Sequence, residues 1–219
     1  QCTKINERKE IREMSADEQQ RYVRAVTTLH SESDNNRERF TDLLSRVHVY
    51  HFDTIHNSGF FLPWHRYLLR LYEQRLQNID PSIVLPYWDW SLDYRDPAGS
   101  IVLSSQLLGG NGNRRYNYCV VNGAVSSLRP GFPSPHCLRR DYDGGRYISS
   151  LSSIEDLELL LNEDKFSKFS SQLEIIHGEL HSHVGGDFKQ RHSNADPLFY
   201  LHHGFMDNLF TEWLLRHPN

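Results

Sequence analysis

Residues 174–207 read EIIHGELHSHVGGDFKQRHSNADPLFYLHHGFMD and hold six of the thirteen histidines in the 219-residue chain. His177 and His181 stand four apart in a segment where Phe166, Phe169, Leu173, Ile176, Leu180 and Val184 recur at helical spacing. Residues at i and i+4 share a helix face, so the spacing predicts two imidazoles side by side next to a buried stripe. Gly185-Gly186 supplies the glycine that commonly ends a helix. Asp196-Pro197 predicts the start of a second helix, an N-cap followed by a first-turn proline. That helix carries His203, twenty-two residues after His181. Three neutral imidazoles from two buried helices can hold one transition metal, and imidazole suits copper, zinc, iron and nickel. The alternative, ordinary core histidines, would require several of them on apolar faces at once.

A second set lies upstream. Phe40, Leu44, Val47, His48, His51 and Ile55 share one helical face. His48 and His51 are three apart and both fit its inward side, so spacing alone does not choose between them. His56 and His65 follow, nine apart across a Gly-Phe-Phe-Leu-Pro turn, and His65 starts an amphipathic helix with Leu68, Leu69, Tyr72 and Leu76. Helix, turn and helix therefore bring His48 or His51 together with His56 and His65. No carboxylate or thiolate stands at ligand spacing among them. An all-histidine pair of sites favours two copper ions over magnesium, calcium or a structural zinc. The predicted fold class is mainly α: a four-helix core holding a dinuclear copper site, surrounded by long irregular loops with little strand. Bundle cores are a known place to build dinuclear sites from facing helices.

The rest of the chain frames this core. Ser15–Leu29 reads as a helix with Ser15 and Glu18 at capping-box spacing, and Ser152–Asn162 as another, with Ser152 and Glu155 so spaced. Residues 91–150, with GGNGNRRYNYC at 109–119, read as long loops with a few short strands. Cys119 and Cys137 flank part of this region and can pair, which fits a secreted protein or another oxidising compartment; Cys2 is left over. His136 reads as a loop residue outside both sets. A net charge of −4 gives no bulk attraction to nucleic acid or an anionic membrane, and no apolar run approaches the ~20 residues of a membrane span. The length predicts one domain spanning 1–219.

FLPWHRYLLRLYEQRL at 61–76, LPYWDWS at 85–91 and DPLFYLHHGFMD at 196–207 together resemble the tyrosinase and catechol oxidase (polyphenol oxidase) family of type-3 copper proteins. The resemblance covers roughly residues 40–92 and 170–216. It implies that His48, not His51, joins His56 and His65 at the first copper. His177, His181 and His203 would hold the second, leaving His202 to hydrogen bonding. The implied cofactor is two copper ions binding O2 between them as peroxide. The implied activity is oxidation of o-diphenols (catechols) to o-quinones with O2 reduced to water, together with weak monophenol hydroxylation. Full tyrosinase (monophenol monooxygenase) activity and haemocyanin-like oxygen binding are the alternatives the family offers. Expected partners are a small phenolic or catecholic substrate and O2, with neither nucleic acid nor membrane. Arg66 and Asp207 are expected to form an ion pair joining the two halves.

Two positions depart from the family pattern. Many members link a cysteine two residues before the second ligand to that histidine by a thioether; Thr54 stands there. Many tyrosinases carry Asn directly after the first ligand of the second copper, where it and a nearby Glu orient a water that deprotonates monophenols; Gly178 stands there, and Glu174 is the expected acid. A C-terminal shielding domain occurs in the family, and none is expected within 1–219, so the copper site is expected to be open.

Overall fold

The computed structural model describes residues 6–32 and 38–218; Cys2 lies outside them. Among the described residues there are six α-helices: α1 (Ala16–Ser31), α2 (Phe40–Ile55), α3 (Phe61–Ile79), α4 (Ile154–Leu161), α5 (Phe166–Val184) and α6 (Leu198–Arg216). The mainly α expectation holds. Helices α2, α3, α5 and α6 form the histidine-bearing core, with α1 packed on α3 and α4 on α5 and α6. The inward stripes of α3 and α5 are the ones their periodicity predicts. In α5, Phe169, Leu173, Leu180 and Val184 are buried; in α3, Leu68, Leu69, Tyr72 and Leu76 are. Fully burying side chains of this size contributes ~1.5–3 kcal/mol each.

The helix ends follow local chemistry. Ser15 and Glu18 form the reciprocal capping box at α1. At α4 the box is made by Ser153 and Asp156, one residue beyond the Ser152–Glu155 pair read from the sequence. The two pairs have the same spacing, and burial of Leu157, Leu160 and Leu161 selects the register. Helix α3 starts four residues before His65, at Phe61, because Pro63 is tolerated in a first turn, where its missing N–H has no intrahelical partner. Gly185 ends α5 at φ 65°, with the Asp141 carbonyl oxygen where a Cβ would stand, so glycine is required for both reasons.

Residues 90–150 are irregular, apart from short 3₁₀ turns and one antiparallel ladder, β1 (Gly112–Asn113) with β2 (Cys119–Val120), Gly112 standing opposite Val120. A Cys119–Cys137 disulfide closes this region. Its centre is Arg140, fully buried, whose guanidinium donates to both carboxylate oxygens of Asp196 at 2.7 and 2.8 Å and to the carbonyls of Gly109 and Gly110. Asp196 also accepts the Leu198 amide at 3.0 Å, so one carboxylate starts α6 and anchors the loops. The expected Arg66–Asp207 pair is present, and Arg8 donates to the same carboxylate at 3.0 Å. These contacts tie the N-terminal segment to α3 and α6.

A candidate dinuclear metal centre

Helix α2 delivers His48, the residue just beyond its end is His56, and α3 delivers His65; the ligand atoms of these three buried imidazoles lie within 4.8 Å of one another. Helix α5 delivers His177 and His181, and α6 delivers His202 and His203, which form the second group. The two groups adjoin, with the His65 and His203 rings stacked 4.2 Å apart. His51, which spacing placed on the inward side, is exposed and belongs to neither group. Three residues turn a helix by about 300°, so His48 and His51 point ~60° apart, and only the first faces the core.

For five of the six rings the hydrogen bonds settle which nitrogen is presented. A carbonyl only accepts, so a ring nitrogen facing one carries the proton. His48 Nδ1–H donates to Arg191 (2.6 Å), His56 to Phe52 (3.1 Å), and His65 to Phe61 (2.8 Å). His177 donates to Glu174 (3.3 Å) and His181 to Phe188 (2.6 Å). In each neutral ring Nε2 is left with a bare lone pair, and these atoms face one another. The Nε2 atoms of His48 and His65 are 3.3 Å apart, those of His177 and His203 3.1 Å, and those of His181 and His203 3.4 Å. The bare lone pairs of His48 and His65 repel at such a distance unless a cation lies between them; no carbonyl fixes the tautomer of His203, whose buried Nδ1 has no hydrogen-bond partner. Metal–nitrogen bonds of about 2.0–2.1 Å at tetrahedral angles put neighbouring nitrogens ~3.3 Å apart, so the spacing fits a metal in each group.

Burial reinforces the arrangement by opposing protonation. It pushes His48 down to about 3 and His181 to about 4, lowers His56, and takes His65, His177 and His203 well below the ordinary imidazole value. All six rings are neutral at neutral pH, as metal ligation requires. His202 differs. Its Nδ1 accepts from Trp90 Nε1–H at 3.2 Å and its Nε2–H donates to the His177 carbonyl at 3.3 Å, so both nitrogens are occupied. It therefore orients the backbone that carries His177 and has no lone pair for a metal.

The cleft in front of the two groups is lined by His48, His56, His177 and His181, with Phe52, Phe199, Glu174 and Gly178 around them. Phe52 stacks on His56 with centroids 4.0 Å apart. Both carboxylate oxygens of Glu174 accept the Asn57 amide, at 2.8 and 3.0 Å, linking α5 to the turn just after His56. Partial burial raises the Glu174 pKa, and the Asn57 N–H opposes the rise. Gly178 has open space where a side chain would begin. The carbonyls of Phe188 and Arg191, the Glu174–Asn57 link and the Trp90–His202 bond were not read from the sequence. Backbone carbonyls leave no residue-type signal; Trp90 sits in LPYWDWS, one of the motifs that carried the resemblance.

The chain belongs to the tyrosinase family of type-3 copper proteins, as the model of the common central domain of tyrosinase matches residues 18–216. Among relatives, "Tyrosinase ustQ" of Aspergillus flavus is 31% identical, the alignment covering 100% of this chain and 66% of that protein. A tyrosinase of Streptomyces lincolnensis is 33% identical, covering 96% of this chain and 83% of the relative. A solved polyphenol oxidase from Thermothelomyces thermophila shares the fold, with a TM-score of 0.79 at 24% identity over 94% of this chain and 69% of that one. The cofactor of the family is a pair of copper ions, and the two histidine groups have the donor atoms to hold it. The described residues contain no helix long and apolar enough to cross a membrane.

Proposed function

We propose that this chain oxidises o-diphenols to o-quinones at a dinuclear copper site, with His48, His56 and His65 holding one copper and His177, His181 and His203 the other. One observation carries this reading: two trios of buried, neutral imidazoles gather beside an open cleft with Nε2 pairs 3.1–3.4 Å apart. Copper held there supplies the redox chemistry, two catechols losing two electrons each while one O2 is reduced to two waters. The protein supplies position, access and proton transfer. Phe52 and Phe199 form apolar walls for a flat ring, and the carbonyls of Arg191, Phe52, Phe61, Glu174 and Phe188 fix five of the six ligand tautomers.

Glu174 takes the proton of an entering hydroxyl, directly or through a water. Its raised pKa favours proton uptake, while the Asn57 amide holds the carboxylate at the cleft. Gly178 has no side-chain amide to position that water. Phenols of pKa ≈ 10 are almost wholly protonated at neutral pH, and a positioned base contributes ~10²–10⁴ in rate. The site therefore favours catechols, whose second hydroxyl assists binding and whose oxidation needs no oxygen insertion. The relatives named tyrosinase favour a second reading in which monophenols are hydroxylated as well. The disulfide supports an oxidising compartment.

Initial oxygen uptake on a catechol and on its matching monophenol, at two coppers per chain, tests the proposal. Fast uptake on the catechol and slow or lagging uptake on the monophenol is the expected result. Equal rates make the chain a full tyrosinase, and reversible oxygen binding without turnover makes it a carrier.

A further inference from the structure

We propose that His136, Asp187 and His192 form a third metal site, outside the copper pair, that takes a divalent first-row transition ion such as zinc(II). The ligand atoms of these three residues lie within 4.8 Å of one another. His136 Nε2 stands 3.3 Å from Asp187 Oδ2, and His192 Nε2 stands 3.5 Å from Asp187 Oδ1. The first separation falls within the 3.1–3.4 Å found in the two histidine groups, and the second, 3.5 Å, lies just beyond it. The site is sheltered, with side-chain exposures of 10% for His136, 8% for Asp187 and 15% for His192.

The tautomer argument points to a cation. His136 Nδ1–H donates to the Ser134 carbonyl at 2.6 Å, so Nε2 of the neutral ring carries a lone pair. That atom is buried without a hydrogen-bond partner and faces a carboxylate oxygen. A lone pair against a carboxylate is repulsive unless a proton or a metal ion lies between them. Asp187 is itself fixed by the Arg139 amide, which donates to Oδ2 at 2.8 Å and leaves Oδ1 toward His192. Two imidazoles and one carboxylate make a borderline-soft donor set that zinc uses with an open fourth position.

The position gives the site a structural consequence. Cys137, next to His136, is bonded to Cys119, so the disulfide pins the loop bearing the first ligand. Asp187 precedes Phe188, whose carbonyl orients His181, and His192 follows Arg191, whose carbonyl orients His48. An ion here clamps the one segment that holds a ligand of each copper group.

Copper-loaded protein, equilibrated with zinc chloride and desalted, should carry one zinc per chain with its copper undiminished when both metals are counted by mass spectrometry. H136Q and H192Q should each keep both coppers. Each should weaken zinc by more than the ~10–100-fold that follows loss of an outer-shell partner, because each removes a ligand itself. Copper-loaded wild type that takes up no zinc overturns the proposal, since a proton alone then bridges His136 and Asp187. Retention of zinc by both variants overturns it too. If one variant does not fold, the wild-type titration and the other variant still decide.

Discussion

At the scale of single residues, the centre rests on which ring nitrogen is spoken for. His202 and His203 are neighbours on α6, both buried and both among histidines, and they have opposite fates. Trp90 and the His177 carbonyl use both nitrogens of His202, whereas His203 turns Nε2 to His177 and His181 alike. His202→Leu should therefore keep two coppers per chain while destabilising by about 1–3 kcal/mol, the cost of leaving a buried donor and acceptor unpaired. His181→Ala should lower copper from about two towards one and abolish catechol oxidation. Metal analysis beside a denaturation curve separates the two effects, and loss of copper in His202→Leu would contradict the assignment. Gly178 is the residue where specificity can be moved. Nothing stands within 4 Å of a Cβ there, and glycine within a helix costs ~1 kcal/mol relative to alanine, asparagine somewhat less. Gly178→Asn should be neutral to slightly stabilising and should raise the monophenol-to-diphenol rate ratio, read by oxygen uptake at equal copper loading.

At the scale of elements, the turn between α2 and α3 is where two helices and one ligand meet. Asn57 has φ 55°, unfavourable for a side chain larger than glycine, and its amide is held by a carboxylate from α5, 117 positions away. Glu174→Ala removes that hold, so exchange of the Asn57 amide should accelerate by at least tenfold if the link is worth the ~1.5–3 kcal/mol of a hydrogen bond to a charged group. Unchanged exchange would show that the turn keeps its shape unaided. The Cys119–Cys137 bridge spans 18 residues, and its removal as Cys119→Ser should cost ~3 kcal/mol in the chain-entropy model. These elements differ in how far they could be read beforehand. The inward stripes of α3 and α5 and the i, i+4 pair on α5 follow from periodicity, because burial repeats with the helix. The choice of His48 over His51 does not, since a ~60° difference in direction falls within the width of an apolar stripe. Glu174 to Asn57 and His136 to Asp187 are single contacts across 117 and 51 positions, with no repeat to announce them.

At the scale of the molecule, a core of neutral imidazoles is held in place by buried charge elsewhere. Arg140 and Asp196 are both fully buried and join the irregular region to the start of α6. Breaking such a pair leaves an uncompensated charge, so Asp196→Asn should cost about 3–5 kcal/mol, seen as a lower urea midpoint. The histidines impose a pH dependence whose sign is fixed. Burial lowers the folded-state pKa of His30 and His48 to about 3 and of His181 to about 4; it lowers His56, and takes His65, His177, His202 and His203 well below the ordinary value. In metal-free protein the unfolded chain then binds more protons than the folded one wherever pH lies between these values and ~6.5, and stability rises with pH under that condition. Their contribution is fully present above ~6.5 and drains away as pH falls towards 4 and 3. His136, raised by Asp187, and the carboxyls of Glu174 and Asp89, raised by burial, act in the opposite direction, three groups against eight. Each buried histidine adds up to ~1.4 kcal/mol per pH unit, so urea midpoints of the metal-free protein should be flat above pH ~7 and drop steeply from ~6.5 to ~4.5, before the carboxylates titrate. Copper held by the converged imidazoles of the folded chain competes with those protons, so the loaded protein should hold its midpoint to lower pH. A metal-free midpoint that is level or rising on acidification through this window would mean that the imidazoles are not held neutral by burial.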